Sequence, residues 1–217
     1  MSRAATILAM YEAMLAALGP SRWWPGDTPF EIAVGAILTQ NTNWGNVEKA
    51  MANLKVRDLL SARTMLALDP AELAELIRPA GYYNLKTVRL RNFLNFLKDE
   101  AEFEIESLKA HPLDELRDKV LAVSGIGPET ADSILLYALE MPTFVVDAYT
   151  HRLMRRHGLA FEGIDYHELR ALFMDALPED VALYNEFHAL IVRTGKEWCR
   201  KQAGLCAACP LQPFLGQ

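Results

Sequence analysis

Apolar residues recur at helical spacing along most of this chain. In the first such stretch, Ala4–Leu18, Ile7, Met10 and Met14 fall on one face, as in an amphipathic helix. The same period predicts ten further helices: Phe30–Leu38, Asn43–Leu54, Thr64–Leu68, Asp69–Ile77, Asn84–Lys98, Leu113–Val120, Pro128–Leu139, Asp147–His157, Asp165–Leu172 and Asp180–Val192. The run 142–146 is predicted to be an extended connector, because no second strand-like run offers it a partner. The pattern therefore predicts an all-α fold.

Composition sets broad limits on this fold. The chain has 217 residues, of which 51% are hydrophobic, so it can bury a sizeable core in one large domain or two small lobes. Its formal net charge of −6 argues mildly against a nucleic-acid partner, although the local placement of charge matters more than the total. No secretory signal and no apolar run of membrane-spanning length is apparent, so we expect a cytoplasmic or nucleoid-associated protein that does not enter a membrane.

The cysteines are confined to the C-terminal region. Cys199, Cys206 and Cys209 are the three present in the chain. An odd number of cysteines in a chain without a secretory signal indicates a reducing compartment, and metal or cluster chemistry rather than disulfides.

A two-glycine turn separates two predicted helices. Ser124, Gly125, Ile126 and Gly127 form this turn, and the next helix begins at Pro128. The glycines permit positive φ and a close approach of the backbone to a partner. Free N–H groups at the start of the helix suit a phosphate, which positions a duplex without reading its sequence. Taken alone, this motif is also compatible with an ordinary turn between two helices.

One acidic residue follows an apolar run. Asp147 comes directly after Phe144-Val145-Val146 and before a basic helical segment. An acid in this position is either the N-cap of that helix or a catalytic group, and one carboxylate can serve both roles.

Taken together, the motifs resemble the helix-hairpin-helix DNA glycosylase superfamily, which includes endonuclease III. They are Ala36–Thr42, Gly81-Tyr82-Tyr83-Asn84-x-Lys86, Leu121-x3-Gly125-x-Gly127-x2-Thr130-Ala131, Val145-Val146-Asp147 with Arg152, and the cysteine pattern. The resemblance implies a two-lobed all-α fold with a C-terminal Cys-rich loop at 196–217. One domain would run from 28 to 136 and end in the hairpin, and residues 1–27 with 137–217 would form the second.

The resemblance also assigns catalytic positions. Asp147 would be the catalytic aspartate, whose carboxylate stabilises an oxocarbenium-like sugar and activates a water. Lyase members of the superfamily carry a lysine two residues after the second hairpin glycine, where this chain has Glu129. Glutamate cannot form an imine, so the expected chemistry is hydrolysis alone. Glu129 would assist the water or hold the pocket, or be a first-turn acid favoured by the helix dipole.

The implied partner is double-stranded DNA with a damaged base flipped out of the stack, bound by a monomer. Expected DNA contacts are Gln40, Ser124, Gly125, Ile126, Gly127, Thr130 and Lys86. Gln40 would fill the gap left by the flipped base or simply cap its helix. The expected basic patches comprise Lys86, Arg89, Arg91, Arg152, Arg155 and Arg156.

Within the superfamily, the fuller resemblance is to the 3-methyladenine DNA glycosylase branch. It rests on Trp23-Trp24-Pro25, Ala36–Thr42, Arg78-Pro79-x-Gly81-Tyr82-Tyr83-Asn84 and Gly127-x-Glu129-x-Ala131-Asp132. It implies an aromatic base pocket at Trp24 and Trp44, with Trp23 the third candidate; packing is the alternative role for at least one of them. Aromatic faces favour a cationic base such as an N3-alkylated adenine.

Other activities remain open at this point. Adenine-removing relatives carry a glutamate where this chain has Ala36, which counts against that substrate. The two alternatives are a bifunctional glycosylase/lyase that uses another lysine, such as Lys196, and a non-catalytic protein that binds damaged DNA.

The cysteine spacing, Cys199-x6-Cys206-x2-Cys209, matches three-quarters of the superfamily's iron–sulfur pattern, whose fourth cysteine position is occupied by Leu215. The resemblance therefore implies a 4Fe–4S cluster with only three cysteine ligands. Zinc, or no metal, are the alternatives.

Overall fold

The computed structural model describes residues 2–216 and is helical throughout, with no strand among those residues. Its helices are α1 Arg3–Leu18, α2 Pro29–Thr39, α3 Trp44–Val56, α4 Ala62–Ala67, α5 Pro70–Leu76, α6 Tyr83–Ala101, α7 Leu113–Leu121, α8 Pro128–Ser133, α9 Ala148–Arg156, α10 Tyr166–Ala176 and α11 Val181–Glu197. Short 3₁₀ turns lie at Arg78–Ala80, Ile105–Ala110, Cys206–Ala208 and Gln212–Phe214. The predicted all-α class is confirmed.

Side-chain caps explain where many helices begin. Thr28, Asn43, Ser61, Asp69, Asp165 and Asp180 each accept a hydrogen bond from a backbone N–H in the first turn of the following helix. Such caps satisfy donors that have no partner within the helix. The run from Pro142 to Val146 contains neither helix nor strand. The largest differences from the predicted bounds are at two helix ends: α10 continues to Ala176 and α11 to Glu197.

The chain divides into two compact units. The continuous unit is Trp24–Met141, and the two-segment unit combines the described residues before Trp24 with those from Pro142 onward. The sequence had suggested boundaries at 28 and 136. The later limit follows from local contacts, because Met141 N–H donates to Leu135 O at 2.9 Å. Trp24 likewise packs against Trp44 and Tyr137 of the continuous unit.

The continuous unit is built around α2, whose residues 33–38 are all buried. Helices α3, α6 and α8 pack around it. Helix α8 runs into a π-helical turn, Ile134–Ala138, that also packs on α2. Arg117 of α7 and Asp132 of α8 form a buried two-pronged ion pair at 2.8 and 2.9 Å, which joins the two helices of the hairpin.

The two-segment unit joins the two ends of the sequence. Arg193 of α11 donates to Leu18 O, Gly19 O and Ser21 Oγ at 2.7–2.8 Å, which fixes the end of α1. Its core contains Phe144 stacked on Phe173 at 4.1 Å between ring centroids, with Phe187 edge-on to both. Within residues 2–216, no helix combines the length and the apolar character that a bilayer crossing requires.

Candidate functional site

The hairpin is an exposed two-glycine loop on a buried base. Gly125 has a φ of +93°, and a Cβ there would collide with the Arg89 side chain, so glycine is required. Gly127 has an ordinary φ of −89° and caps α8 without a side-chain hydrogen bond. Ser124, Gly125 and Gly127 are exposed, whereas Ile126 is buried. Ile126 therefore offers almost no surface for the predicted DNA contact.

Polar side chains from α2 and α6 support the hairpin. Gln40 Nε2 donates to Gly125 O at 3.0 Å and to Thr130 Oγ1 at 2.9 Å, while its Oε1 accepts from Arg89 Nη1. Asn92 Nδ2 donates to Ser124 O at 2.9 Å. Gln40 is the C-cap residue of α2, and its amide is committed to the hairpin. Thr130 is buried beneath the loop, so both side chains serve here as support.

Lys86 does not form part of a basic surface, and its prediction as a DNA contact is wrong. Its side chain is 1% exposed, and Nζ donates to Leu38 O and Ala80 O at 2.8 Å each. These carbonyls lie near the ends of α2 and of the Arg78–Ala80 turn. Burial, together with nearby Arg89, lowers the pKa of Lys86 to about 8. Lys86 therefore ties α6 to α2 from the inside.

The predicted basic patches are mostly structural as well. Arg91 donates to Leu66 O and Leu68 O, and Arg152 donates to Cys199 O at 2.6 Å. Arg155 pairs with exposed Glu162, and Arg156 donates to Lys201 O. Sequence reasoning missed this use because the acceptors are mainly backbone carbonyls far away along the chain.

An exposed aromatic side chain escaped the sequence prediction. Tyr82 is 69% exposed, has a φ of +48° and lies at the N-cap of α6. An exposed ring of this kind can stack on a nucleic-acid base. The available signal was its place beside Gly81 in a resemblance motif.

Asp147 caps α9 through a capping box. Its Oδ1 accepts from Thr150 N at 2.8 Å and from Thr150 Oγ1 at 2.9 Å, while Thr150 Oγ1 accepts from Asp147 N. Asp147 Oδ2 lies 3.6 Å from His188 Nε2. Burial acts to raise the pKa of this carboxyl, but His188 and the Thr150 hydrogen bonds outweigh it and hold the pKa below its usual range. The group is therefore a carboxylate with one oxygen used by the cap.

His188 is a second site residue that the sequence did not reveal. It lies on α11 among residues buried over most of a helix face, and its side chain is 6% exposed. Its position in an apolar helical pattern gave no signal of a polar partner. The contact with Asp147 arises because α11 packs against α9.

Two tryptophans form an aromatic cluster in the continuous unit. Trp24 meets Trp44 edge-on with ring centroids 5.2 Å apart, and Tyr137 lies 5.2 Å from Trp24 on another side. Gly35 of α2 lies beneath, where a Cβ would approach Trp24 Nε1 to 3.3 Å. Both tryptophans remain partly exposed.

The remaining predicted site residues are divided between the two units. Glu129 is an exposed residue in the first turn of α8. Trp23 belongs to the two-segment unit, where Lys196 Nζ lies 6.0 Å from its ring centroid. Asp147 and the cysteines also belong to that unit, whereas the hairpin, Trp24 and Trp44 belong to the continuous one.

The three cysteines line one pocket in the two-segment unit. Arg156 Nη1 lies 3.3 Å from Cys199 Sγ. Among residues 2–216, no three His, Cys, Asp or Glu side chains converge closely enough to hold a single metal ion. A cluster makes a different demand, since each of its irons takes a separate thiolate. Three thiols that line one pocket match the type of ligand that an iron–sulfur cluster requires.

Known proteins resemble this chain over most of its length. The profile of the family described as HhH-GPD superfamily base excision DNA repair protein matches residues 34–179. A Methanocaldococcus jannaschii protein named "Putative DNA repair glycosylase MJ1434" is 48% identical over 210 residues, covering 96% of this chain and 94% of that protein. Endonuclease III of Thermotoga maritima is 27% identical over 184 residues, covering 85% and 81%.

Two solved structures have a similar fold. The H. pylori 3-methyladenine DNA glycosylase bound to 1,N6-ethenoadenine has a TM-score of 0.78 and 29% identity, covering 91% of this chain and 98% of that one. A trapped endonuclease III–DNA covalent intermediate has a TM-score of 0.83 at 21% identity, covering 100% and 97%. At that identity the second likeness supports the fold alone.

Proposed function

We propose that this protein is a monofunctional glycosylase that hydrolyses the N-glycosidic bond of alkylated purines in duplex DNA. The chain belongs to the HhH-GPD superfamily of base excision DNA repair proteins and is a DNA glycosylase. The single observation that carries the proposal is Asp147. Its carboxylate is held ionised although it is largely buried, with Oδ2 outside the helix cap.

The proposed reaction uses this carboxylate beside the deoxyribose. The bond from C1′ to the base nitrogen breaks, and the electron pair leaves with the cationic base, which departs neutral. Asp147 stabilises the oxocarbenium-like sugar and orients a water whose oxygen bonds to C1′, while the water's proton passes to the carboxylate or to solvent. The products are a free purine and an intact strand with an abasic site.

Glu129 is the reason for proposing hydrolysis alone. It stands two residues after Gly127, in the first turn of α8, and offers a carboxylate instead of an amine. A Schiff base with the sugar needs an amine nucleophile, so the hairpin cannot supply one. We assign Glu129 a supporting role toward the water or the pocket.

The substrate class follows from the aromatic cluster together with the solved relative. Trp24 and Trp44 present partly exposed, mutually perpendicular rings. A cationic base over such a ring gains roughly 1–2 kcal/mol when desolvated. The 29% identical H. pylori glycosylase is described as a 3-methyladenine enzyme, which agrees with this preference. Trp23 is the third candidate for the pocket.

The proposed partner is duplex DNA, bound by a monomer with the damaged base flipped out. The exposed backbone of Ser124, Gly125 and Gly127 would contact a phosphate, and the Gln40 network would hold that loop in shape. The three thiolates would hold the iron–sulfur cluster, which would supply a structural cross-link to the C-terminal loop.

A base-release assay tests this function. Methylated duplex DNA is incubated with the protein, and the freed purines are separated and identified. The wild type should release 3-methyladenine, and Asp147→Asn should lower the rate by about 10²–10³-fold, since it removes the charge from the transition state. Asp147→Asn with full activity would refute the mechanism. A wild type inactive on every damaged duplex would favour the non-catalytic binder.

A second assay addresses the lyase alternative. Lys196 is exposed and lies in the same unit as Asp147, so it is the amine to test. Borohydride is added to the protein with abasic DNA, which would trap any imine as a covalent adduct. We expect none from the wild type. An adduct that disappears in Lys196→Gln would establish lyase chemistry and overturn the monofunctional proposal.

A further inference from the structure

The cysteine cavity contains a fourth candidate ligand that the spacing of the cysteines does not suggest. His157 lines this cavity together with Cys199, Cys206, Cys209 and Leu215. Leu215 stands where the family's spacing would place a fourth cysteine, and its side chain cannot bind a metal. The cavity therefore has three thiols and one imidazole.

The position of His157 is fixed on two sides. It is the C-cap residue of α9 and is 8% exposed. Its Nδ1 lies 3.2 Å from the carbonyl oxygen of Phe214, the residue immediately before Leu215. The imidazole is thus held beside the backbone at the point where a fourth thiolate is missing.

The hydrogen bond also determines which nitrogen is available. A carbonyl can only accept, so Nδ1 must carry the proton in this contact, and Nε2 retains the lone pair. Metal-binding histidines commonly donate one ring N–H to a backbone carbonyl and bind the metal through the other nitrogen. His157 has this arrangement.

We propose that His157 Nε2 is the fourth protein ligand of a 4Fe–4S cluster whose other three irons are bound by Cys199, Cys206 and Cys209. This ligand set carries one negative charge fewer than four thiolates. Replacement of thiolate by imidazole raises the reduction potential of iron–sulfur centres in other proteins. The cluster should therefore be more easily reduced than a four-cysteine one. The inference does not depend on the substrate of the enzyme.

Spectroscopy on the wild type tests the ligand directly. The full-length protein is prepared without oxygen, and its iron and sulfide are counted. Pulsed electron paramagnetic resonance of the reduced cluster, with histidine labelled by a nitrogen isotope, should show a coupling that changes with the label. Four irons without such coupling would refute the proposal, as would zinc in their place or no metal at all.

Three variants supply the matched comparison. His157→Ala should lose the nitrogen coupling and at least one iron per chain. His157→Ala combined with Leu215→Cys should regain four irons without that coupling, at a lower midpoint potential than the wild type. Leu215→Cys alone shows whether a thiolate at this position displaces the imidazole, in which case it too loses the coupling.

Two further results of the variant experiments are also informative. If His157→Ala retains four irons and an unchanged spectrum, His157 is not a ligand. Helix content by circular dichroism identifies a variant that fails to fold, and the labelled wild type then decides. Because iron content and spectra are measured without DNA, failure of this proposal is distinguishable from failure of the glycosylase assignment.

Discussion

The hairpin and the C-terminal cysteine loop are both short, irregular segments, but they are held in different ways. Around the hairpin, Val120, Ile126 and Ala131 belong to the apolar core, and a network centred on Gln40 holds the loop above it. In the described part of the chain from Arg200 onward, Leu211 is the only buried side chain. The comparison teaches that the hairpin is shaped by apolar packing together with its polar network, whereas the cysteine loop depends on anchors outside itself.

The anchors of the cysteine loop come mainly from α9. Arg152, Arg156 and His157 reach Cys199 O, Cys199 Sγ and Phe214 O respectively. Polar contacts with little apolar burial give modest stability. A metal centre would supply the missing cross-link.

The largest expected effect is on the stability of the continuous unit, which contains the hairpin. Arg117→Ala removes the partner of the buried Asp132 carboxylate, which is 0% exposed. Leaving one buried charge without its ion pair costs about 3–5 kcal/mol in the free energy of unfolding. Urea denaturation measures this cost.

The matched control replaces both members of the ion pair. Arg117→Met combined with Asp132→Leu should recover most of the lost stability, because an apolar pair avoids the unpaired charge. The cluster spectrum should be unchanged in both variants. A cluster lost together with the hairpin would show that the two segments are not independent.

The next effect concerns the hydrogen bonds of the hairpin loop. Gln40→Ala removes the donor to Gly125 O and the acceptor of Arg89, and should cost about 1–3 kcal/mol. Gln40→Glu is the sharper control, since it keeps an acceptor for Arg89 but places an oxygen against Gly125 O. Binding to undamaged duplex DNA should weaken in both, as measured by fluorescence anisotropy. Unchanged binding would mean that the loop does not contact DNA.

The helices and the polar contacts between them differ in how far the sequence could predict them. Helical periodicity and capping residues predicted the helices, and the N-cap was one of the two roles expected for Asp147, the acid after an apolar run. The burial of Lys86 and the Asp147–His188 contact depend on how the helices pack. Lys86 and Leu38 are 48 positions apart in the sequence, and Asp147 and His188 are 41 positions apart. Local pattern carries no information at that separation. Lys86 was therefore predicted to contact DNA, and nothing in the local pattern singled out His188.

A smaller effect is expected from removing the proposed iron–sulfur cluster. Treatment with an iron chelator under mildly oxidising conditions should increase proteolytic cleavage between 200 and 216 several-fold, because that segment buries little apolar surface. The unfolding midpoint of the continuous unit should change little. Limited proteolysis with mass spectrometry measures both. Equal protection with and without metal would show that the arginine anchors alone order the loop.

The smallest effect is a pH dependence at the head of α9, the helix that carries these anchors. Because the folded pKa of Asp147 lies below its unfolded value, its contribution to stability is complete above the unfolded pKa and is lost as the pH falls through the folded pKa. Protonation weakens the Thr150 hydrogen bonds and the contact with His188, so acid should loosen α9 and the cysteine loop before the hairpin. Asp147→Asn keeps a cap acceptor but cannot titrate, and should abolish this acid step. The free energy of unfolding should fall by at most about 2 kcal/mol, the upper limit for loss of an N-cap. Hydrogen exchange between pH 3 and 6 (roughly the range in which carboxyls titrate) follows both segments at once. If the hairpin opened first, the polar network around Gln40 would be the weaker support, and the comparison would have to be reversed.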